Sequence, residues 1–209
     1  MTEELEEYIL SHIDREPEIL AKLGRETNVK ILNPRMLSGH LQGRILAMFC
    51  RMIKPKNILE IGTFTGYATL CLAEHLPEGG VLHTIEIDDE LEDIIRQYTA
   101  GYADKIRFHF GEALQIIPTL SETFDLVFID ADKREYAAYY EAVFDKVAKG
   151  GFIIADNTLW GGKVLETGTP GNDRQTLAIK QFNDLIANDD RVEKVIFPIR
   201  DGITVIFKK

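Results

Sequence analysis

From Asn57 onward the chain repeats one unit, a short apolar run followed by a helical stretch. The apolar runs fall at 57–61, 81–86, 106–110, 124–130 and 151–155. Helical stretches at 67–75, 88–100, 112–120 and 134–148 separate them. Strands buried on both faces read as continuous apolar runs, and strands joined through helices run parallel. The repeat therefore predicts a parallel sheet covered by helices on both faces. After a glycine-rich loop over 158–172 and a helix over 174–187, two last runs at 192–198 and 203–207 meet across a turn at Asp201 and Gly202. No helix lies between them, so the chain must turn back and place one antiparallel strand in the sheet. Ligands of such sheets bind at the carboxyl ends of the strands. That rule directs the search for chemistry.

The first 50 residues read as helical. Thr2 can cap a helix whose first turn carries Glu3 and Glu4, as suits the positive end of a helix dipole. Pro34 breaks the chain, and Ser38 is placed to cap a helix running to Ile53. The 209 residues suit one domain, 1–209. The apolar runs are far shorter than the roughly 18 residues of a membrane span. The acidic start is unlike a secretory signal, which makes the cytoplasm the expected compartment. Cys50 and Cys71 lie in apolar helical patterns and read as buried thiols, without zinc spacing. The net charge is −10, with no basic run. Nucleic-acid binding draws on phosphate neutralisation, so a nucleic-acid partner is disfavoured.

Strand one ends in Glu60-Ile61-Gly62-Thr63-Phe64-Thr65-Gly66. Gly62 and Gly66 let backbone approach a ligand at the start of the next helix. A dinucleotide fingerprint would place a second glycine where Phe64 stands. That argues for a ligand with a smaller polar tail, such as the amino-acid end of S-adenosylmethionine, with Glu60 receiving its ammonium. Glu86 ends strand two, where a nucleotide site places the carboxylate for ribose hydroxyls; alone it is also a solvated strand end. Ala113, after strand three, leaves room for an adenine edge or simply begins a helix.

Strand four ends at Asp130, and strand five is followed by Asp156 and Asn157. These strands should be neighbours, which brings two carboxylates and an amide oxygen together. Such hard ligands suit Mg²⁺, Mn²⁺ or Ca²⁺ over Zn²⁺. Either acid alone reads as a helix cap; the pair points to a metal. Lys133 lies three residues beyond Asp130. A lysine beside a divalent cation sheds its proton more easily, since like charges disfavour the charged form, and can serve as a general base.

The segments LEIGTFTGYATL, FDLVFIDADKREY and IIADNTLWGGKV resemble the cation-dependent O-methyltransferases of the catechol and caffeoyl-CoA type. The resemblance runs from about Ile31 to the end of the chain. It implies a class I methyltransferase fold: a Rossmann-like, seven-stranded, mostly parallel α/β sheet with one antiparallel strand, helices on both faces, and extra N-terminal helices over 1–55 forming part of a lid. By resemblance Glu60, Gly62, Thr63 and Ala68 line the methionine part of the cofactor. Glu86 matches the ribose carboxylate and Ala113 the adenine-side residue. Asp130, Asp156 and Asn157 match the metal ligands, Asp130 also facing the cofactor, and Lys133 matches the base. Met36 and Ser38 match the segment closing over the cofactor, Asp132 a further cofactor contact, and Trp160 an aromatic in the acceptor pocket. The catechol enzymes carry His and Trp where Ala131 and Asp132 stand, which places this chain nearer the caffeoyl-CoA and bacterial branch. The implied function is methyl transfer to a vicinal-diol small molecule, such as a hydroxylated aromatic, by a homodimer. A tRNA hydroxyuridine methyltransferase using the same site, an NAD-linked oxidoreductase and a non-catalytic cofactor-binding module are the alternatives.

Overall fold

A computed structural model describes residues 2–209. Three helices, α1 (Glu3–His12), α2 (Glu18–Lys30) and α3 (Gly39–Ile53), precede the first strand. The strands are β1 (Asn57–Ile61), β2 (Val81–Glu86), β3 (Ile106–Phe110), β4 (Phe124–Ile129), β5 (Val147–Asp156), β6 (Val192–Phe197) and β7 (Ile203–Lys208). Helices α4 (Tyr67–Ala73), α5 (Glu92–Thr99), α6 (Ala113–Ile116), α7 (Tyr136–Phe144) and α8 (Arg174–Ala187) connect them.

The strands form one seven-stranded sheet in the order β3-β2-β1-β4-β5-β7-β6. Strands β1 to β5 pair in parallel, and β7 runs against both β5 and β6. The chain steps outward from β1 to β2 and β3, then returns to place β4 on the other side of β1. The carboxyl ends of β1 and β4 thus flank the topological switch point, where open α/β sheets hold their ligands.

Continuous apolar runs are explained by two buried faces. In β4, Val127 and Ile129 pack towards Tyr136, Tyr140 and Phe182, whereas Leu126 and Phe128 pack towards Leu46, Cys50 and Leu72. Side chains alternate across a strand, so both parities must be apolar. Burying each such side chain contributes about 1.5–3 kcal/mol. Cys50 and Cys71 are buried free thiols, and burial pushes Cys50 up to about 12.

Several boundaries differ from those the sequence suggests. The strand expected over 151–155 begins earlier, at Val147, so Gly150 and Gly151 both lie inside β5. Val147 already pairs with Phe124, and the register shifts before Leu126 pairs with Phe152. Gly150 takes φ +82°, and a Cβ on Gly151 would lie 2.9 Å from the Ala148 carbonyl oxygen, so the glycines make a bulge. The helix expected over 134–148 therefore stops at Phe144, and it opens as a 3-10 turn at Lys133–Glu135. Ser38 precedes α3 in helical conformation without a side-chain capping bond. The glycine-rich loop contains a 3-10 segment, Trp160–Leu165. Among the described residues no helix is long and apolar enough to cross a membrane.

Candidate active site

The β1–α4 loop is built by close backbone contact. Gly62 has φ +101°, and a Cβ there would lie 2.1 Å from the carbonyl oxygen of Asp130. Its amide donates to the Ile85 carbonyl at 3.0 Å, so the loop spans β4, β1 and β2. Phe64 follows in left-handed conformation, φ +50°, and its amide donates to Glu86 Oε2 at 2.6 Å. The Asp88 amide donates to Glu86 Oε1 at 2.9 Å. Glu86 is thus a buried acceptor rather than a solvated strand end. Burial raises its pKa, and the amides of Asp88 and Phe64 oppose that shift.

Glu60 is fully buried at the end of β1. Its Oε2 accepts the hydroxyls of Thr69 at 2.5 Å and Thr84 at 2.6 Å, while Oε1 has no partner among the described residues. Burial pushes this carboxyl up to about 8, against the two threonine bonds. The Thr63 hydroxyl lies 2.5 Å from that of Thr84, extending the same network. Ala113 begins α6, buried. Ala68 packs in the apolar layer with Leu46 and Ile58. Ser38 is nearly buried, whereas Met36 stands 58% exposed in the turn ahead of α3.

At the neighbouring strand ends, Ile129 pairs with Ala155 in parallel, so Asp130 and Asp156 emerge at one level. Asp130 Oδ1 accepts from Lys133 Nζ at 2.8 Å. Asp156 is buried; its Oδ2 accepts from Gln42 Nε2 at 2.9 Å, and its Oδ1 has no partner among the described residues. Burial, then the charge of Asp130, raises the pKa of Asp156. Asn157 follows with φ +57°, and its carbonyl accepts the Trp160 amide at 3.2 Å. Trp160 packs partly buried against the apolar layer beneath α7 and α8. Asp132 is turned to Arg134, whose Nε lies 2.9 Å from both carboxylate oxygens and holds that carboxyl below its usual range.

Lys133 is no surface lysine; it is buried. Besides Asp130, its amine donates to the Tyr136 hydroxyl at 2.5 Å. That hydroxyl lies 3.0 Å from the Asp156 carbonyl and 3.3 Å from that of Ile129. Tyr136 therefore ties the base candidate to both strand ends. Sequence pattern alone does not single out Gln42 or Tyr136. The signal for Gln42 is a polar residue inside the apolar stripe of α3; for Tyr136 it is an aromatic one helical turn after Lys133.

The sequence matches the O-methyltransferase family model over residues 10–209. The chain belongs to the O-methyltransferase family. Caffeoyl-CoA O-methyltransferase of Stellaria longipes is 33% identical to it over 218 residues, covering 97% of this chain and 89% of that protein. The Eucalyptus gunnii caffeoyl-CoA O-methyltransferase is 37% identical over 216 residues, covering 96% and 86%. Among solved structures, the O-methyltransferase TomG from Streptomyces achromogenes, in complex with S-adenosylmethionine, superposes with a TM-score of 0.91 at 28% identity, with 100% of both chains covered. The Bacillus cereus O-methyltransferase in complex with S-adenosylhomocysteine gives 0.90 at 29% identity, covering 98% of this chain and 97% of that one. The oxidoreductase and non-catalytic alternatives fall with this membership.

For an O-methyltransferase the two bare carboxylate oxygens are informative. A buried acceptor without a partner costs about 1–3 kcal/mol. Glu60 Oε1 fits the ammonium of an amino-acid-bearing cofactor, and Asp156 Oδ1 fits a cation shared with Asp130. The residue types at these strand ends, two aspartates followed by an asparagine, fit a hard divalent ion.

Proposed function

We propose that this S-adenosylmethionine-dependent O-methyltransferase needs a divalent cation and methylates one of two adjacent hydroxyls on a small catechol-like acceptor. The observation carrying this reading is the level placement of Asp130 and Asp156 at the ends of β4 and β5, with Asp156 Oδ1 buried and unpartnered. Asp130, Asp156 and Asn157 would hold Mg²⁺, Mn²⁺ or Ca²⁺. When bound, such an ion supplies the charge that acidifies and orients an acceptor hydroxyl.

The chain's own residues do the rest. Lys133 Nζ, held by Tyr136 and lying beside Asp130, would take the hydroxyl proton as a neutral amine, after giving up its own proton beside a bound cation. Glu60 receives the ammonium of the cofactor, and Gly62, Thr63 and Ala68 border its methionine part. Glu86 keeps a second lone pair on each oxygen for the ribose hydroxyls, and Ala113 borders the adenine. Ser38 and Met36 close over the cofactor, with Asp130 and Asp132 as further contacts and Trp160 against the acceptor ring. The N-terminal helices over 1–55 form part of the lid. In support, Thr27 on α2 donates to Thr65 of the β1–α4 loop at 3.0 Å, and the Tyr67 hydroxyl donates to Glu16. Holding reactants in line is itself a large share of catalysis, because it removes the entropy of encounter.

The test is methyl transfer from labelled cofactor to a vicinal-diol aromatic. A chelator should abolish transfer, and Mg²⁺ or Mn²⁺ should restore it. The matching single-hydroxyl compound should react poorly at saturation. Transfer that survives chelation would overturn the metal reading and return Asp130 and Asp156 to structural roles.

A further inference from the structure

We propose that Gln42 and Arg200 form a positioning relay that aims the carboxylate of Asp156. The relay rests on the metal reading of Asp156. Gln42 is 1% exposed in α3. Its Nε2 donates to Asp156 Oδ2 at 2.9 Å, and its Oε1 accepts from Arg200 Nη1 at 2.6 Å. These partners lie 114 and 158 positions away in sequence.

The chemistry fixes the direction of the relay. A guanidinium only donates, and an ionised carboxylate only accepts. An amide set between them has one workable orientation: oxygen towards Arg200, nitrogen towards Asp156. Arg200 thus locks the flip state of Gln42, and Gln42 occupies Oδ2. What remains free on Asp156 is Oδ1, the bare oxygen. The relay chooses which carboxylate oxygen faces the guest and stops the group from turning about its terminal torsion, which is otherwise broad and twofold.

Arg200 is itself held in an uncommon conformation. It has φ +52° in the turn between β6 and β7. A non-glycine residue there is strained and persists only where the surroundings over-determine it. The next two residues clamp the chain beyond Asn157: the Asp201 carbonyl accepts the Leu159 amide at 2.9 Å, and the Gly202 carbonyl accepts the Thr158 amide at 3.0 Å. A Cβ on Gly202 would lie 2.8 Å from the Leu159 nitrogen, so the turn sits against that segment. One turn therefore supports the Asp156–Asn157 pair twice, through backbone on one side and through Arg200 and Gln42 on the other. Residues that orient metal ligands typically change metal affinity by about 10–100-fold when removed.

Mn²⁺ binding to the full-length protein, without acceptor or cofactor, tests this through the free Mn²⁺ paramagnetic resonance signal. Gln42→Met should weaken Mn²⁺ about 10–100-fold. Arg200→Met should weaken it less, because Gln42 remains but its amide is free to flip, and Arg200→Lys should recover most of the loss. Thermal unfolding accompanies each variant. Should Gln42→Met fail to fold, the comparison of Arg200→Met with Arg200→Lys decides alone. Folded variants that bind Mn²⁺ as the parent does would overturn the relay while leaving the metal reading intact. A parent protein that binds no Mn²⁺ would overturn the metal reading itself, and the relay with it.

Discussion

Replacing Gly62 by alanine puts the switch-point loop under direct test. The new Cβ would lie 2.1 Å from the carbonyl oxygen of Asp130 and 2.8 Å from its carbonyl carbon. Both are backbone atoms, so no side-chain rotation relieves the overlap. The positive φ of +101° adds a second cost. A strained conformation costs of order 1–3 kcal/mol, and overpacking typically about 1–3 kcal/mol. The reduced freedom of the unfolded chain returns only about 0.4–1 kcal/mol. The net loss is about 1–6 kcal/mol, against the roughly 5–15 kcal/mol that holds a domain together. At roughly 2–4 °C per kcal/mol for a domain of this size, Tm should fall by about 2–24 °C. Urea and thermal unfolding measure it, with Gly79→Ala as control: that glycine has φ +74° but open space around its Cβ position, so it bears the conformational cost alone. Because the struck atom belongs to Asp130, relaxation should displace that residue and weaken Mn²⁺ as well. Equal destabilisation by Gly62→Ala and Gly79→Ala would refute the contact argument.

Glu86→Ala should weaken cofactor binding by roughly 1–3 kcal/mol with kcat at saturation little changed, since the contact is the same in ground and transition states; titration with S-adenosylhomocysteine reads it, and unchanged affinity rejects the ribose role. Lys133→Met should slow transfer by about 10²–10⁴-fold. Mn²⁺ should bind at least as tightly, because Asp130 loses its competing ammonium partner; a parent rate would make Lys133 a bystander. Glu60 rises from 4.5 to about 8 on folding, so between those pH values the unliganded fold holds a proton that the unfolded chain has lost. The stability this contributes is full below 4.5 and is lost as pH rises towards 8. Binding a cofactor ammonium at pH 7 should expel that proton, making the calorimetric heat depend on buffer ionisation; Glu60→Gln should abolish the dependence, and its absence in the parent would sink the assignment.

Local pattern encodes the strand ends, and with them the place of the candidate site. Glu60, Asp130 and Asp156 each end an apolar run, and a parallel sheet puts such ends on one edge. The switch point follows from the same rhythm. What local pattern does not encode is long-range or conformational. Gln42 joins Asp156 and Arg200 across most of the chain, and no periodicity marks such a bond. Tyr136 looks like one more core aromatic until its hydroxyl is found between Lys133 and two strand-end carbonyls. Phe64 adopts a glycine-like φ because Glu86 accepts its amide, a tertiary cause that overrides local preference. The glycine pair in β5 is ambiguous for a related reason, since the same residues end a strand or bulge one, depending on what lies opposite.

Glu60 and Asp156 share one arrangement. In each, one oxygen is held by hydrogen-bond donors and the other is left bare in a buried place. Leaving both oxygens bare would let the group rotate. Holding one fixes the direction of the other, as an electrostatic site prepared before its guest arrives requires. Asp130 raises both pKa values by its charge, after burial has done most of the work. The acids therefore repel one another across the switch point; Lys133 relieves Asp130, and a proton or a cationic guest would relieve the bare oxygens of Glu60 and Asp156. Protons and cationic guests compete for the same oxygens, so binding at Glu60 should weaken as the medium is acidified below its raised pKa. That competition separates a site built for cations from a merely acidic cleft, because exposed carboxylates titrate near their ordinary values and would bind cations unchanged down to about pH 5.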